Sequence, residues 1–512
     1  MDYLLGIDIG TSGAKALLIS ASRGGEVVAS ATKTYPLYTP KPLWAEQEPE
    51  DWWQATIAAV GDILEASGIN PGDIKGIGLS GQMHGSVFLD SDNQVLRPAI
   101  LWCDQRTAAE CEWIMDTVGR EKTIELISNP VLTGFTAGKI IWLRNNEPKV
   151  YERVRKVLLP KDYIRLKLTG EFATDVSDAS GTALFNVTKR EWAWEMLDAI
   201  GIPRDWMPKA YESPEVSGRI TQDASTITGL KQGTPVVGGG GDQAAGAIGN
   251  GIVEPGIISS TVGTSGVVFA FADKPVVDPK LRVHTFCHAV PGKWHVMGVM
   301  LSAGGSLRWY RDTFADCEAS AAKALGYDTY DLMSHEALKA PAGCEGLVFL
   351  PYLTGERTPY PDPNARGAFV GITLRSDRAH FIRSVMEGVA YGLRDSFEIL
   401  GEMNIPIKEV RASGGGAKSA VWLQMQADVI GHDHVTINID EGPALGVALL
   451  AGVGAGIYKS VEDACRSVIK VTNTTTVNPA NKDVYNRFYP LYRSLYGSLK
   501  GDFEMVSGLV NE

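Results

Sequence analysis

A chain of 512 residues is too long for a single ordinary core, and its length points to two to four domains. It is 44% hydrophobic and 21% charged, the balance of a soluble globular protein, and no apolar run approaches the ~20 residues that cross a bilayer. The net charge of -12 argues against nucleic acid as a main partner, since phosphate backbones are held by basic faces.

The chain opens almost at once on a strand, with no basic region or apolar signal segment before it. Residues 3–9 and 14–20 read as strands around the turn "GTSG", and "EVVASATKTYPLY" as a third. "PEDWWQATIAAVGDILEAS" has helical period, and "IKGIGLSGQ" is a further strand. That order predicts an α/β domain with a mixed sheet. After "GNGIVEPG", at residues 249–256, the plan restarts. "GIISSTVGTSGVVFAFA" is strand, turn and strand, with "GTSG" recurring at 263–266. "SDRAHFIRSVMEGVAYGLRDSFEIL" is a long amphipathic helix, "EVRASGGG" a strand entering a glycine turn, and "SAVWLQMQADVIG" a helix. The expected domains are 1–252 and 253–512, two related halves facing a shared cleft. Near the end, Tyr485, Phe488, Tyr489, Tyr492 and Tyr496 recur at helical intervals and are expected to form a packing face. The six cysteines, Cys103, Cys111, Cys287, Cys317, Cys344 and Cys465, form no CxxC pair, which suits a reduced, cytoplasmic protein.

Gly10, Thr11, Ser12 and Gly13 make a turn of small residues whose backbone N–H groups and hydroxyls suit an anion. Asp8 precedes it, a hard oxygen ligand fit for Mg²⁺, and Lys15 follows it within reach of a phosphate. A plain glycine hairpin explains one copy as well; two copies favour phosphate. Glycines 238–241 carry a strand into a helix that opens on Asp242. The helix dipole favours an ionised Asp242, which can accept a hydroxyl proton in phosphoryl transfer; an N-cap aspartate is the plainer alternative. "GLSGQMHG" supplies Gln82, Met83 and His84, and "LWCDQR" supplies Trp102, Asp104 and Arg106. Amide, imidazole and carboxylate groups beside an indole suit a polyol, although a strand end with a core Met and a half-exposed His fits the first stretch. Gly414, Gly415 and Gly416 sit between strand and helix, where a flat base or ribose can approach the backbone; a tight strand-to-helix turn explains them as well. "GIGLSG" lacks the following helix of a dinucleotide site, and "GFTAGK" falls one residue short of a phosphate-binding P-loop.

In this order the segments resemble the FGGY carbohydrate kinases. "GIDIGTSGAK", "GQMHG", "RPAILWCDQR", "GFTAGKIIWLRNN", "LLPKDYIRLKLTGE", "GGGGDQAAGAIG", "VGTSGVVF", "FLPYLTGERTP" and "GGGAKS" carry the likeness over nearly the whole chain. It implies an actin/hexokinase-like (ribonuclease H-like) α/β fold of two related domains around a central cleft. The implied reaction is ATP-dependent phosphorylation of a sugar hydroxyl, with ATP and Mg²⁺ bound between the domains. "QMHG" points to D-xylulose, converted to D-xylulose 5-phosphate. By the same resemblance Asp242 is the catalytic base and Asp8 organises Mg²⁺-ATP. Thr11, Ser12 and Lys15, with Gly263 and Thr264, form the phosphate loops; Gly415, Gly416 and Ser419 meet the adenosine. Gln82, Met83, His84, Trp102 and Asp104 fall in the sugar pocket. Cys103 departs from the Asn often found there, which bears on the exact ketose where that position touches sugar; a core-facing free cysteine is the plainer alternative. Ribulose or glycerol remains an alternative substrate, and an actin-like regulatory ATPase an alternative class. A homodimer agrees with the family, although no interface can be read.

Overall fold

The computed structural model describes residues 1–511. Strands β1 (Tyr3–Ile9), β2 (Gly13–Ser20) and β3 (Glu26–Thr34) form an antiparallel meander. Helix α1 (Pro49–Ser67) starts with Pro49 in its first turn, ends at the left-handed Gly68, and buries Trp52, Trp53 and Ile63 against β2 and β3. Strand β4 (Ile74–Gly81) runs parallel to β1 on its other side. Helix α2 (Thr136–Asn146) belongs to a long excursion that returns through β5 (Val216–Arg219) and β6 (Pro235–Val237). The spatial order is β5-β6-β4-β1-β2-β3, with Gly240 and Gly241 paired to the end of β4. Helix α3 (Asp242–Gly249) follows directly.

The second half repeats the plan. Strands β7 (Ile257–Val262) and β8 (Gly266–Ala272) form the second "GTSG" hairpin, extended by β9 (His284–Cys287) and β10 (Trp294–Met300). Helices α4 (Gly304–Phe314), α5 (Thr329–Ala337) and α6 (Arg378–Glu402) lead to β11 (Glu409–Ser413), parallel to β7. Helix α7 (Ala420–Ile430) and β12 (His434–Ile437) come next. The sheet closes with β13 (Val471–Thr475), in the order β9-β10-β8-β7-β11-β12-β13. In each sheet a central strand, β1 or β7, has its hairpin partner on one side and a parallel strand on the other.

One helix crosses between the halves. Helix α8 (Gly442–Gly454), apolar on nearly all sides, lies on β1 and β4 of the first sheet and against α3. It approaches so closely that a Cβ on Gly78 would sit 1.9 Å from the Val447 carbonyl oxygen, and one on Gly6 equally close to that of Ala444. The glycines of "GIGLSG" thus admit a helix from the far end of the chain. The last helix, α9 (Pro479–Asn511), lays Tyr485, Tyr489, Tyr492 and Tyr496 into a core with Tyr391, as the spacing predicts. Their hydroxyls are spent inward: Tyr485 donates to Glu387, Tyr489 to Asp395 and Tyr496 to Asp362. Among the described residues no two cysteines are bonded, and no helix is long and apolar enough to cross a membrane.

Candidate active site

Asp8 lies one residue before the end of β1, opposite Lys15 on β2 and Ser80 on β4. Burial pushes its carboxyl up to about 6, and Ser80 and Lys15 pull it back only in part. Its Oδ1 has no hydrogen-bond partner. Asp242 is the first residue of α3, with Gly241 as the N-cap, so it is not the capping residue that one reading of the sequence allows. Burial, and then the charge of Asp8, push it up to about 7. This corrects the expectation drawn from the helix dipole: desolvation and a like charge outweigh the dipole in the unliganded site. Gln243 donates to Asp242 Oδ1 at 3.3 Å.

Two neighbouring buried acids, one with the unpartnered Asp8 Oδ1, fit a site that receives a cation. No cluster of three or more metal-ligating side chains exists among the described residues. A divalent ion beside Asp8 would therefore take its other ligands from phosphate and water, as magnesium readily does. Asp242 opens on a cavity of about 360 Å³ between the halves, also lined by Thr261, Ser413, Asp440 and Glu441. Lys15 reaches Glu441 across this gap in an ion pair, rather than standing free for a phosphate.

The second hairpin borders this space through Thr261 and Val267, and the first reaches it through the Lys15–Glu441 pair. Thr11 is tied on both sides: its hydroxyl accepts from Trp102 Nε1 at 2.9 Å and its carbonyl from Gln47 Nε2 at 2.8 Å. The Ser12 hydroxyl is exposed. Gly263 and Thr264 are exposed at the second turn, whose carbonyls accept from the backbone N–H groups of Ala303, Gly304 and Gly305. Beyond it lies a cavity of about 500 Å³ lined by Gly263, Thr264, Gly415, Gly416 and Ser419, five of the predicted nucleotide residues. Ser419 also caps α7, accepting from Trp422 N, and meets the Ser334 hydroxyl at 3.0 Å. Asp328, Tyr330 and Ser334 line the same cavity and were not singled out from the sequence, where "DTYDLMSHEA" looks like an ordinary surface helix.

On the first side, Met83 packs against Gly241: a Cβ there would lie 2.9 Å from Met83 Cγ. His84 has φ 69° and lies tilted against Phe135, with centroids 4.6 Å apart. Its Nδ1 meets the Gly181 carbonyl at 2.6 Å, so Nδ1 carries the proton and Nε2 is the acceptor. Burial, and then Lys139, hold it well below the usual histidine range. Two of the predicted sugar residues are used elsewhere. Gln82 is buried, with its amide nitrogen on Gln47 Oε1 at 2.8 Å. Asp104 is fully buried, and both oxygens are taken by Ala45 N and the Arg106 guanidinium and backbone. Asp104 therefore fixes the loop that carries Trp102, whereas the Gln82 amide oxygen is buried without a hydrogen-bond partner. Cys103 is half-buried against the core around α1.

Sequence reasoning set "GFTAGK" aside as a false P-loop, yet its Lys139 is fully buried and donates to the His84 carbonyl at 2.8 Å. Burial brings it down to about 7. The glycine strand is also held from below. Arg165 donates to the carbonyls of Val237 and Gly238, each at 2.6 Å, and Gly241 N donates to Ser177 Oγ at 3.2 Å. Ser177 in turn donates to Asp175, which pairs with buried Lys161. Such residues lie far apart in sequence and carry no local signature.

The model of the FGGY family of carbohydrate kinases matches residues 3–249 with its N-terminal domain and 258–455 with its C-terminal domain. The chain is 43% identical to the xylulose kinase of Escherichia coli over 459 residues, covering 89% of this chain and 91% of that one. It is 38% identical to the xylulose kinase of Bacillus subtilis, covering 98% of each. A crystal structure from Brucella ovis, described as a xyloylose kinase, superposes with a TM-score of 0.88 at 36% identity, over 98% of this chain and 99% of that one. The architecture is the actin/hexokinase-like one, with a mixed sheet in each half. The chain belongs to the FGGY family of carbohydrate kinases.

Proposed function

We propose that the protein transfers the γ-phosphoryl group of ATP to O5 of D-xylulose, giving D-xylulose 5-phosphate and ADP. The observation that carries this reading is the raised carboxyl of Asp242, set between two phosphate-type hairpins and against the Met83–His84 corner. A base that titrates near neutrality is suited to accept a hydroxyl proton as the phosphorus–oxygen bond forms. The sugar lies with O5 at Asp242, its C–H face on Met83 and Trp102, and a hydroxyl donating to His84 Nε2. The backbone and hydroxyls of Thr11, Ser12, Gly263 and Thr264 hold the phosphates. Gly415, Gly416 and Ser419 border the adenosine. Lys15 exchanges Glu441 for a phosphate oxygen when nucleotide enters. Asp8 holds Mg²⁺, which when bound neutralises phosphate charge. Closure of the halves excludes water, which would otherwise take the phosphoryl group. Transfer then rests on positioning and charge neutralisation.

The test is ADP release by the purified protein with Mg²⁺-ATP and D-xylulose, D-ribulose, L-ribulose, glycerol or no sugar. Release stimulated chiefly by D-xylulose is expected. Stimulation by another sugar would move the substrate and leave the chemistry, and release indifferent to all of them would remove Asp242 from its role.

A further inference from the structure

The turn Glu356–Arg357–Thr358 belongs to the second half and is pinned on both sides. Glu356 Oε1 accepts from Leu301 N at 2.9 Å and from Arg357 N at 2.7 Å. Thr358 N donates to the Val299 carbonyl at 3.0 Å, and the Thr358 hydroxyl donates to that of Arg282 at 2.8 Å. Val299 lies two residues past Met297, the partner of His284 across β9 and β10. The turn thus holds Arg357 beside the strand that presents His284. His284 and His84 both lie against Phe135, with centroids 5.8 and 4.6 Å from it.

All three groups have hydrogen-bonding capacity to spare. The Arg357 guanidinium is half-buried and makes no hydrogen bond or ion pair among the described residues, and the neighbouring Glu356 carboxylate is engaged by backbone N–H groups. Asn129 Oδ1 accepts from Thr285 N and faces His284 Nδ1 at 3.3 Å, which leaves His284 Nε2 as an acceptor, buried and unpartnered. His84 Nε2 is an acceptor by the same logic. The charge of Arg357 is among the causes that hold both histidines low, in keeping with their nearness. A half-buried guanidinium without a protein acceptor is costly, and a ligand oxygen relieves that cost.

The chemistry of the substrate supplies such an oxygen. Ring closure of xylulose uses O5, so a molecule phosphorylated at O5 must bind as the open chain. Its C2 carbonyl is then a bare acceptor at the end remote from Asp242, flanked by the C1 and C3 hydroxyl donors. Resting on the xylulose reading above, we infer that Arg357 is a specificity-determining residue: its guanidinium donates to the C2 carbonyl oxygen of an open-chain ketose, while His84 and His284 accept from the adjacent hydroxyls. Because Arg357 comes from the second half and His84 from the first, the keto group bridges the cleft.

The test compares D-xylulose with xylitol, which carries a hydroxyl in place of the C2 carbonyl, in the wild type, Arg357→Met and Arg357→Lys. Arg357→Met is expected to raise KM for D-xylulose about ten- to a hundred-fold, the loss of one charge-assisted hydrogen bond. The inhibition constant of xylitol and the KM for ATP should change far less, so that discrimination between ketose and polyol collapses. Arg357→Lys keeps a donor and should fall between. Without sugar, the thermal midpoint of Arg357→Met should not drop, since an unpaired cation has been removed; a purely structural arginine would lower it. Equal losses for both sugars, or no loss, overturn the inference. A wild type that ignores D-xylulose overturns the functional reading first, and this inference with it.

Discussion

The two "GTSG" hairpins share a backbone and differ in chemistry. Asp8 pairs with Ser80 on the parallel strand; at the matching place in the second half Thr261 pairs with Ser413, hydroxyl to hydroxyl at 2.8 Å. Two residues after each turn stand Lys15 and Val268. The charged pair is present only in the first half. Support differs as well: side chains of Trp102 and Gln47 hold the first turn, and three backbone N–H groups at the start of α4 hold the second. A duplicated scaffold has thus diverged, with the charged pair kept in one copy and a neutral ledge in the other.

The largest break in this asymmetry is Asp242→Ala. Loss of a positioned base should lower kcat by about 10²–10⁴-fold. Binding of ATP, measured by calorimetry, should persist, because in the proposed arrangement Asp242 meets the sugar hydroxyl and none of the groups assigned to the nucleotide. Turnover within a few-fold of wild type would remove Asp242 from catalysis.

A smaller break targets the neutral ledge. A Cβ on Gly304 would stand 2.4 Å from the Gly263 carbonyl oxygen, against backbone with nowhere to move. Overpacking of this kind costs about 1–3 kcal/mol, and with that strain borne by the second turn Gly304→Ala should raise KM for ATP by about five- to a hundred-fold. KM for sugar should be nearly unchanged. If the sugar constant moved as much as the nucleotide constant, the two hairpins would not divide the work as argued.

What the sequence disclosed follows from the range of each interaction. Period and turn chemistry act locally, so β1, β2, α1, β7, β8 and α6 stand where the pattern puts them. Repetition of four residues sufficed to reveal two related hairpins. Asp104 could not be judged in this way: its acid character was visible, but its capture by Arg106 and Ala45 N was not. The glycines of "GIGLSG" were excluded correctly as a nucleotide fingerprint, yet their reason, helix α8, lies some 370 residues away along the chain. Lys139 and Arg357 sat in segments that carried the family likeness, but what marks them out, a fully buried lysine and a half-buried arginine with no ion pair among the described residues, is a tertiary property.

The subtlest difference between the halves is electrostatic. The second hairpin offers Asp242 no acid, whereas burial, and then the charge of Asp8 in the first half, raise it to about 7. A protonated Asp242 cannot accept the hydroxyl proton, so activity should fall as pH drops through about 7. With both substrates well below saturation, kcat/KM reports the groups of the free enzyme. In Asp8→Asn the residual activity should show the same acid limb displaced to lower pH, because the neutral amide no longer disfavours the Asp242 carboxylate. Thr261→Val, at the matching place in the other half, should leave the limb where it is. If both variants kept the wild-type limb, Asp8 would serve the nucleotide alone. If both moved it, the coupling would pass through the shape of the cleft and not through charge.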